Sequence, residues 1–190
     1  MKALEEKILK EGKVLPGNIL KVGSFLNQML DVPFIMSMGE EIARLFEGFG
    51  VNKILTIESS GISIAFAAAT KMNVPVVVAK KGKSKNVDGD IYSAEIYSFT
   101  HQKTYDVVVS KDYIGQDDKV LVVDDFLAGG NALNGVIKIL EEAGAALVGC
   151  AVAIEKGFQG GGDKLREKGI KVEALALVDS MSDTSLTFRK

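Results

Sequence analysis

Two adjacent carboxylates followed by a run of small residues form the segment of this sequence best suited to do chemistry. The segment reads KVLVVDDFLAGGNA and covers residues 119–132. Asp124 and Asp125 follow an apolar run typical of a buried strand, and carboxylates at a strand end can accept hydrogen bonds from the two hydroxyls of a ribose. The small residues expose backbone N–H groups, and a helix that begins there directs its positive dipole end at the same anion. The order of strand, acids, glycines and helix therefore suits a 5-phosphorylated ribose.

Other interpretations of the segment remain open. The sequence contains no G-x-x-x-x-G-K-[ST], and its glycines follow two acids instead of forming G-x-G-x-x-G directly after a strand, so the two common nucleotide-binding patterns fit poorly. The simplest alternative is a buried parallel strand that carries two solvated acids at its tip.

The rest of the chain alternates between apolar runs and amphipathic segments. Strand-like runs cover residues 53–57, 76–79, 104–109, 120–123, 147–154 and 172–178. Helical spacing of apolar residues occurs within residues 29–48, 63–72 and 133–140, and Gly144 is a typical helix end. Continuous strands separated by amphipathic helices predict an α/β fold with a parallel sheet covered on both faces. No repeat or linker divides the sequence, so we expect one domain, residues 1–190.

Three further strand ends carry polar residues, and ligands of such sheets bind beyond the carboxyl ends of the strands. After the strand 53–57, Ser59 and Ser60 lie in a tight polar turn that suits pyrophosphate oxygens, or that caps a helix. After the strand 76–79 come Lys80 and Lys81, then Lys83 and Lys85, in a stretch expected to be flexible. These lysines would neutralise a leaving group, or they form a solvated loop.

The third strand end carries Lys156 and Phe158, next to a glycine run, residues 160–162, that is expected to be flexible. A lysine can donate to an exocyclic oxygen of a base, and a phenylalanine can stack on its face. Equally, the two are a surface lysine and a ring at the edge of the core. The single histidine, His101, is expected at the surface of a polar loop.

Together these segments resemble bacterial xanthine phosphoribosyltransferases, which have the type I phosphoribosyltransferase fold. The resemblance rests on ESSG, YSFT, VVDDFLAGG, IEKGFQ and LKVGSFLNQ, at residues 58–61, 97–100, 122–130, 154–159 and 20–28. It implies transfer of the phosphoribosyl group of 5-phosphoribosyl-1-pyrophosphate (PRPP) to xanthine by a homodimer, with Mg²⁺ carried by PRPP. It also implies a lid at residues 80–97 and a small N-terminal hood, residues 1–35, over the purine.

The resemblance assigns roles to individual residues. Asp124 and Asp125 would bind the ribose hydroxyls, and Lys81 would assist the departing pyrophosphate. The 5′-phosphate would be held by Ala128, Gly129, Gly130, Asn131 and Ala132, the pyrophosphate by Ser59 and Ser60, and the purine by Leu20, Asn27, Lys156 and Phe158. Many members of the wider superfamily carry threonine where this chain has Ala132, so backbone amides would hold more of the phosphate.

The composition of the chain bears on the alternative functions and on where the protein acts. The 23 basic and 25 acidic side chains give a net charge of -2, which provides no general field for nucleic acid. A PRPP-sensing regulator that binds nucleic acid is therefore the less favoured hypothesis, and a guanine or hypoxanthine phosphoribosyltransferase is the nearer alternative. The one cysteine, Cys150, is expected to be buried. The charged amphipathic N-terminus and the lack of a long apolar stretch favour a cytoplasmic protein without membrane contact.

Overall fold

A computed structural model describes residues 1–82, 89–98 and 103–189. The helices are α1 (Lys2–Glu11), α2 (Val32–Leu45), α3 (Gly61–Met72), α4 (Asn131–Ala143) and α5 (Gly161–Glu167), with a π-helical turn at Gly23–Asn27 and a 3₁₀ turn at Gly157–Gln159. The strands are β1 (Lys13–Leu15), β2 (Ile19–Lys21), β3 (Lys53–Ile57), β4 (Val76–Lys81), β5 (Ile91–Ser98), β6 (Lys103–Ser110), β7 (Lys119–Leu127), β8 (Ala146–Lys156), β9 (Val172–Met181) and β10 (Leu186–Phe188). Lys83, Lys85 and His101 lie outside the described residues.

Among the described residues, eight strands form one sheet in the order β10-β9-β8-β7-β3-β4-β6-β5. The five inner strands from β9 to β4 run parallel, so their carboxyl ends meet at one edge of the sheet. The pairs β9–β10, β4–β6 and β5–β6 are antiparallel. The predicted α/β class is confirmed, and the sheet is mixed because an antiparallel strand or hairpin extends it on each side.

Two buried clusters lie on the two faces of this sheet. One contains α2, α3 and the N-terminal segment, with Phe25, Met38 and Ile64 in its interior. The other contains α4, with Val136, Leu140 and the predicted buried Cys150. The apolar runs of β7 and β8 contribute to both clusters, because alternate side chains of a strand point to opposite faces.

Local sequence signals account for the helix boundaries near the site. The Asp31 carboxylate caps α2 by accepting from the Phe34 N–H at 3.2 Å, and Pro33 occupies the first turn, where the missing N–H costs nothing. α4 ends at Gly144, as predicted from the sequence, and the φ of this glycine is 69°, a left-handed conformation.

Two of the strands that extend further than the sequence predicts carry candidate site residues. β4 includes Lys80 and Lys81, which pair with β6 and so do not belong to a flexible stretch. β7 includes Asp124 and Asp125, so the acids lie within the strand and not beyond it. The expected lid, residues 80–97, is partly strand as well, because Ile91–Ser98 forms β5 against β6.

The N-terminal segment packs on the face of the sheet that carries α2 and α3, and its hairpin reaches the carboxyl end of β8. β1 and β2 form a separate hairpin, and the Met1 amino group donates to the Leu175 carbonyl on β9. The turn of the hairpin is tied to β8 by Lys156, whose Nζ donates to the Asn18 carbonyl at 2.8 Å. In the described part of the chain, no helix has the length and apolar character needed to cross a membrane.

Candidate active site

The acid pair lies near the carboxyl end of β7, directly against the first turn of α3. Asp124 is 8% exposed, whereas Asp125 is partly exposed, and the Asp125 N–H donates to Asp124 Oδ1 at 2.9 Å. A methyl group on Gly61 would collide with the Thr56 hydroxyl and lie 2.8 Å from Asp124 Oδ1. Glycine at the start of α3 therefore lets this helix approach the carboxylate.

The buried acid holds its proton more tightly than an ordinary carboxyl group does. Burial, followed by the charge of Asp125, raises the pKa of Asp124 well above its usual range, and the charge of Lys81 opposes the rise. A ligand that donates hydrogen bonds to the pair would favour its ionised form, as ribose hydroxyls would.

The glycine-rich loop between β7 and α4 surrounds a small cavity of about 150 Å³. Gly130 precedes α4 with a φ of 87°, a conformation that favours glycine, and no side chain caps the helix. The cavity is lined by Ala128, Gly129, Gly130, Asn131, Ala132 and Leu133, together with Ile96, Tyr97, Tyr105, Phe126 and Leu127. The open first turn of a 13-residue helix offers N–H groups and a positive dipole end to an anion in this cavity.

The turn between β3 and α3 contains the two predicted serines and an acid that the sequence argument did not use. Ser60 occupies the N-cap position of α3, but its side chain makes no capping hydrogen bond, so the alternative role as an ordinary cap is not supported. Ser59 is exposed. Glu58 accepts from the Lys81 N–H at 2.6 Å and pairs with the Lys80 ammonium at 3.2 Å, which fixes the end of β4.

Lys81 reaches the site next to a tyrosine from the adjoining strand. Its ammonium lies 5.4 Å from the centroid of the Tyr105 ring. Burial, followed by the charge of Asp124, raises the pKa of Tyr105. Since Tyr105 also lines the glycine-loop cavity, β6 contributes a ring and a hydroxyl to the site that the sequence argument missed.

A second cavity of about 530 Å³ brings Asn27 together with Ser59 and Ser60. Its other lining residues are largely apolar: Leu26, Gln28, Leu30, Val32, Ile35, Met36, Ile62, Ser63 and Phe66. Neither Lys156 nor Phe158 lines it. Leu20 is only 7% exposed and belongs to the buried cluster on the face of the sheet that carries α2 and α3.

Lys156 lies at the end of β8, partly covered by its surroundings. Its ammonium is 5.5 Å from the centroid of the Phe126 ring, and burial lowers the pKa of the lysine. Phe126 also lines the glycine-loop cavity, so it connects the environment of Lys156 to the anion site. Phe158 follows in the 3₁₀ turn with 36% of its surface exposed.

No cluster of three or more metal-binding His, Cys, Asp or Glu side chains occurs among the described residues. Asp124 and Asp125 nevertheless supply the hard oxygen ligands that suit Mg²⁺, which proteins often bind through one or two carboxylates together with substrate phosphates. The site fits a metal ion that arrives with a phosphorylated ligand.

Taken together, the carboxyl edge of the sheet combines an anion cradle, an acid pair, a lysine from β4 and a half-buried lysine from β8. In chemical terms, this set of groups suits a phosphorylated sugar that is bound through its phosphate and its hydroxyls. Comparison with known families agrees, since residues 34–185 match the phosphoribosyl transferase domain. The chain belongs to the phosphoribosyltransferase family.

Sequence relatives and solved structures show which members of the family this chain resembles. The chain is 54% identical over 182 residues to a xanthine phosphoribosyltransferase of Bifidobacterium adolescentis, covering 95% of this chain and 94% of the relative. It is 50% identical over 190 residues to xanthine phosphoribosyltransferase 1 of Clostridium perfringens, covering 100% of both. Among solved structures, the adenine phosphoribosyltransferase of Giardia lamblia is similar with a TM-score of 0.77 at 21% identity, over 92% of this chain and 96% of that one. The structural likeness bears on the fold, which is that of the type I phosphoribosyltransferases.

Proposed function

We propose that this protein transfers the 5-phosphoribosyl group of PRPP to xanthine, forming xanthosine 5′-monophosphate and pyrophosphate. The observation that carries the proposal is the anion cradle directly after an acid pair, in a chain about half identical over its length to relatives named xanthine phosphoribosyltransferase. The bond from the anomeric carbon to pyrophosphate breaks, a bond from that carbon to the base forms, and the base loses a proton.

In this scheme the phosphoribosyl group is held at two points. The N–H groups at the start of α4, with the loop Ala128–Gly130, bind the 5′-phosphate, and Asn131 and Ala132 complete the cradle. Asp124 and Asp125 accept hydrogen bonds from the ribose hydroxyls. Because displacement at the anomeric carbon develops positive charge on the sugar, the ionised acids also stabilise the transition state.

The departing pyrophosphate faces the turn between β3 and α3. Ser59 and Ser60 offer hydroxyl and backbone donors there, and Lys81 places a positive charge at the end of the adjacent strand. Mg²⁺ carried by PRPP would neutralise part of the charge on the phosphates. Asp124 and Asp125 would be its protein ligands. The chain itself supplies orientation and fixed donors, which reduce the barrier without a dedicated acid or base.

The base is proposed to lie between the end of β8 and the N-terminal segment. An ammonium only donates hydrogen bonds, so Lys156 favours a 6-oxo purine over a 6-amino purine. Phe158 would stack on the base, and Leu20 and Asn27, within the hood of residues 1–35, would contact it from the other side. An amide such as that of Asn27 can pair with either an oxo or an amino group at position 2, so the choice of xanthine over guanine rests on the relatives.

A homodimer is part of the proposal. Met29, Leu30, Val32 and Phe66 are between 46% and 65% exposed, and three of them line the cavity shared by Asn27 and the two serines. Exposed apolar groups gathered around one groove mark an interaction surface. We propose that a second copy of this chain packs against these exposed apolar side chains and leaves the end of the groove at Asn27, Ser59 and Ser60 to the substrates. Sedimentation analysis of Phe66→Glu would test this by loss of the dimer.

The proposed reaction is tested by measuring pyrophosphate release from PRPP and Mg²⁺ with xanthine, guanine, hypoxanthine and adenine in one panel. Dominant turnover of xanthine is the expected result. Dominant turnover of guanine or hypoxanthine would retain the phosphoribosyl transfer and overturn the assignment of the base. Absence of turnover with all four bases, despite binding of PRPP, would overturn the enzymatic function.

A further inference from the structure

A buried carboxylate lies next to the lysine proposed to bind the base. Glu155 is 0% exposed, and both of its oxygens pair with Arg166 of α5, Oε1 with Nη1 at 2.9 Å and Oε2 with Nη2 at 2.6 Å. A buried carboxylate is strongly unfavourable unless it is paired, and a two-point contact with guanidinium fixes orientation as well as distance. The pair therefore holds the end of β8, where Lys156 follows Glu155.

The same guanidinium joins α5 to β9. Arg166 donates to the Val172 carbonyl through Nε at 3.3 Å and through Nη2 at 3.2 Å, and to Asp163 at 3.1 Å. One side chain thus links α5, the end of β8 and the start of β9. Lysine could reproduce the charge but not this set of simultaneous directions.

Gly161 and Gly162, the first two residues of α5 and here called the glycine turn, lie between this ion pair and the loop Ala128–Gly130. Their packing contradicts the flexibility expected from the sequence. A methyl group on Gly162 would collide with the Glu155 carboxylate and lie 2.9 Å from Arg166 Nη1. A methyl group on Gly161 would collide with the Ala128 carbonyl and lie 2.6 Å from the Gly130 nitrogen.

The turn is also bonded to the loop that it contacts, because the Gly161 N–H donates to the Ala128 carbonyl at 3.2 Å. On one side the turn touches the residues proposed to hold the 5′-phosphate. On the other side it touches the pair that fixes the base-binding lysine. No room remains on either side for a side chain, so a displacement of one side is passed to the other.

We propose that Arg166 is a positioning residue that, through Glu155 and the glycine turn, holds Lys156 and the loop Ala128–Gly130 in one fixed relation. The inference rests on the proposed function, since it concerns how the base and phosphate sites of that reaction are kept in register. Reaction at the anomeric carbon requires both partners in place at once, and a misplacement of about 1 Å can cost a factor of about 100 in rate.

The test compares Arg166→Lys with Arg44→Lys in the purified full chain. Arg44 makes a similar two-point pair with Glu41, at 2.8 Å for each contact, but on the exposed surface of α2. For Arg166→Lys we expect KM to rise about tenfold for both the base and PRPP, with a loss of kcat. The control should keep both KM values within about twofold of the unmodified chain.

Substitution of each glycine tests one side of the turn separately. Gly161→Ala should raise KM for PRPP more than KM for the base, and Gly162→Ala should do the reverse, each by about tenfold. Gly115→Ala is the control, because a methyl group there would meet nothing within 4 Å.

A purely structural role for Arg166 gives a different result from the proposed one. Thermal unfolding and the dissociation constant of PRPP, measured by calorimetry without any base, serve as readouts independent of turnover. If Arg166→Lys lowers only the melting temperature and leaves both KM values and the PRPP dissociation constant unchanged, the proposal is wrong. If the unmodified chain turns over none of the four bases, the proposed function fails, while the calorimetric arm still decides whether Arg166 orders the phosphate loop.

Discussion

Replacement of Lys156 by methionine isolates the hydrogen bond on which the proposed base specificity depends. Methionine keeps an apolar stem of similar length against the Phe126 ring but donates no hydrogen bond. A hydrogen bond that involves a charged group contributes about 1.5–3 kcal/mol. Because about 1.4 kcal/mol corresponds to a factor of ten, kcat/KM for xanthine should fall about 10- to 150-fold.

The assay varies xanthine at saturating PRPP, then varies PRPP at saturating xanthine, and follows pyrophosphate release. The proposed contacts with the 5′-phosphate and the ribose lie on β7 and α4, so KM for PRPP should stay within about twofold. Lys164→Met on α5, where the lysine is exposed, is the matched control and should behave like the unmodified chain.

The opposite pattern of kinetic changes would refute the assignment of Lys156 to the base. If Lys156→Met raises KM for PRPP and leaves kcat/KM for xanthine unchanged, the lysine acts on the phosphates and not on the base. A loss confined to the melting temperature would instead mean that the contact with the Asn18 carbonyl, at 2.8 Å, is its principal role.

Three further predictions concern the acid pair, the core and the thiol. Asp124→Asn should abolish turnover yet raise the melting temperature by about 2–4 °C near pH 8. Because the pKa of Asp124 is raised in the folded state, the stability that this group contributes is lost as the pH rises through the folded-state pKa. In a pH series of thermal scans, the gain in melting temperature should therefore vanish below about pH 4. Gly39→Ala should lower the free energy of unfolding by about 1–3 kcal/mol in urea titrations, since the added methyl group would lie 2.6 Å from the Ala67 Cβ on α3. Burial raises the pKa of the Cys150 thiol to about 12, so a thiol reagent at pH 8 should react rapidly only after unfolding; fast reaction with the native protein would contradict the structure.

Local signals in the sequence were sufficient for most of the sheet. The bounds of β3, Lys53–Ile57, agree with the predicted run because a short apolar segment bounded by polar residues leaves little choice of register. β5 was missed, although its alternation places Ala94 and Ile96 in the core with 8% and 2% exposure. The polar residues that alternate with these two, and the lysines that precede the segment, are typical of a loop.

The site was predictable where it depends on neighbours in sequence and not where it depends on strand order. Asp124 and the loop Ala128–Gly130 lie within seven residues of each other in the sequence, so the proposal for their chemistry could be made from the sequence alone. The contacts of Glu58 with Lys81 and of Glu155 with Arg166 join residues 23 and 11 positions apart. Such pairs form because particular strands and helices become neighbours, which amino-acid types alone do not specify.

The ionisation of Asp124 depends on residues of β7 and β4 and, through the position of Lys81, on Glu58 in the turn after β3. Burial and Asp125 on β7 raise the pKa of Asp124, and Lys81 at the end of β4 lowers it. The position of Lys81 is in turn fixed by the carboxylate of Glu58, which accepts from its N–H at 2.6 Å. In the proposed scheme the ionised acid accepts hydrogen bonds from the ribose hydroxyls, so we expect a change that moves the end of β4 away from β7 to weaken sugar binding. The turn after β3 would therefore affect the proposed ribose site through Lys81 as well as the proposed pyrophosphate site through Ser59 and Ser60.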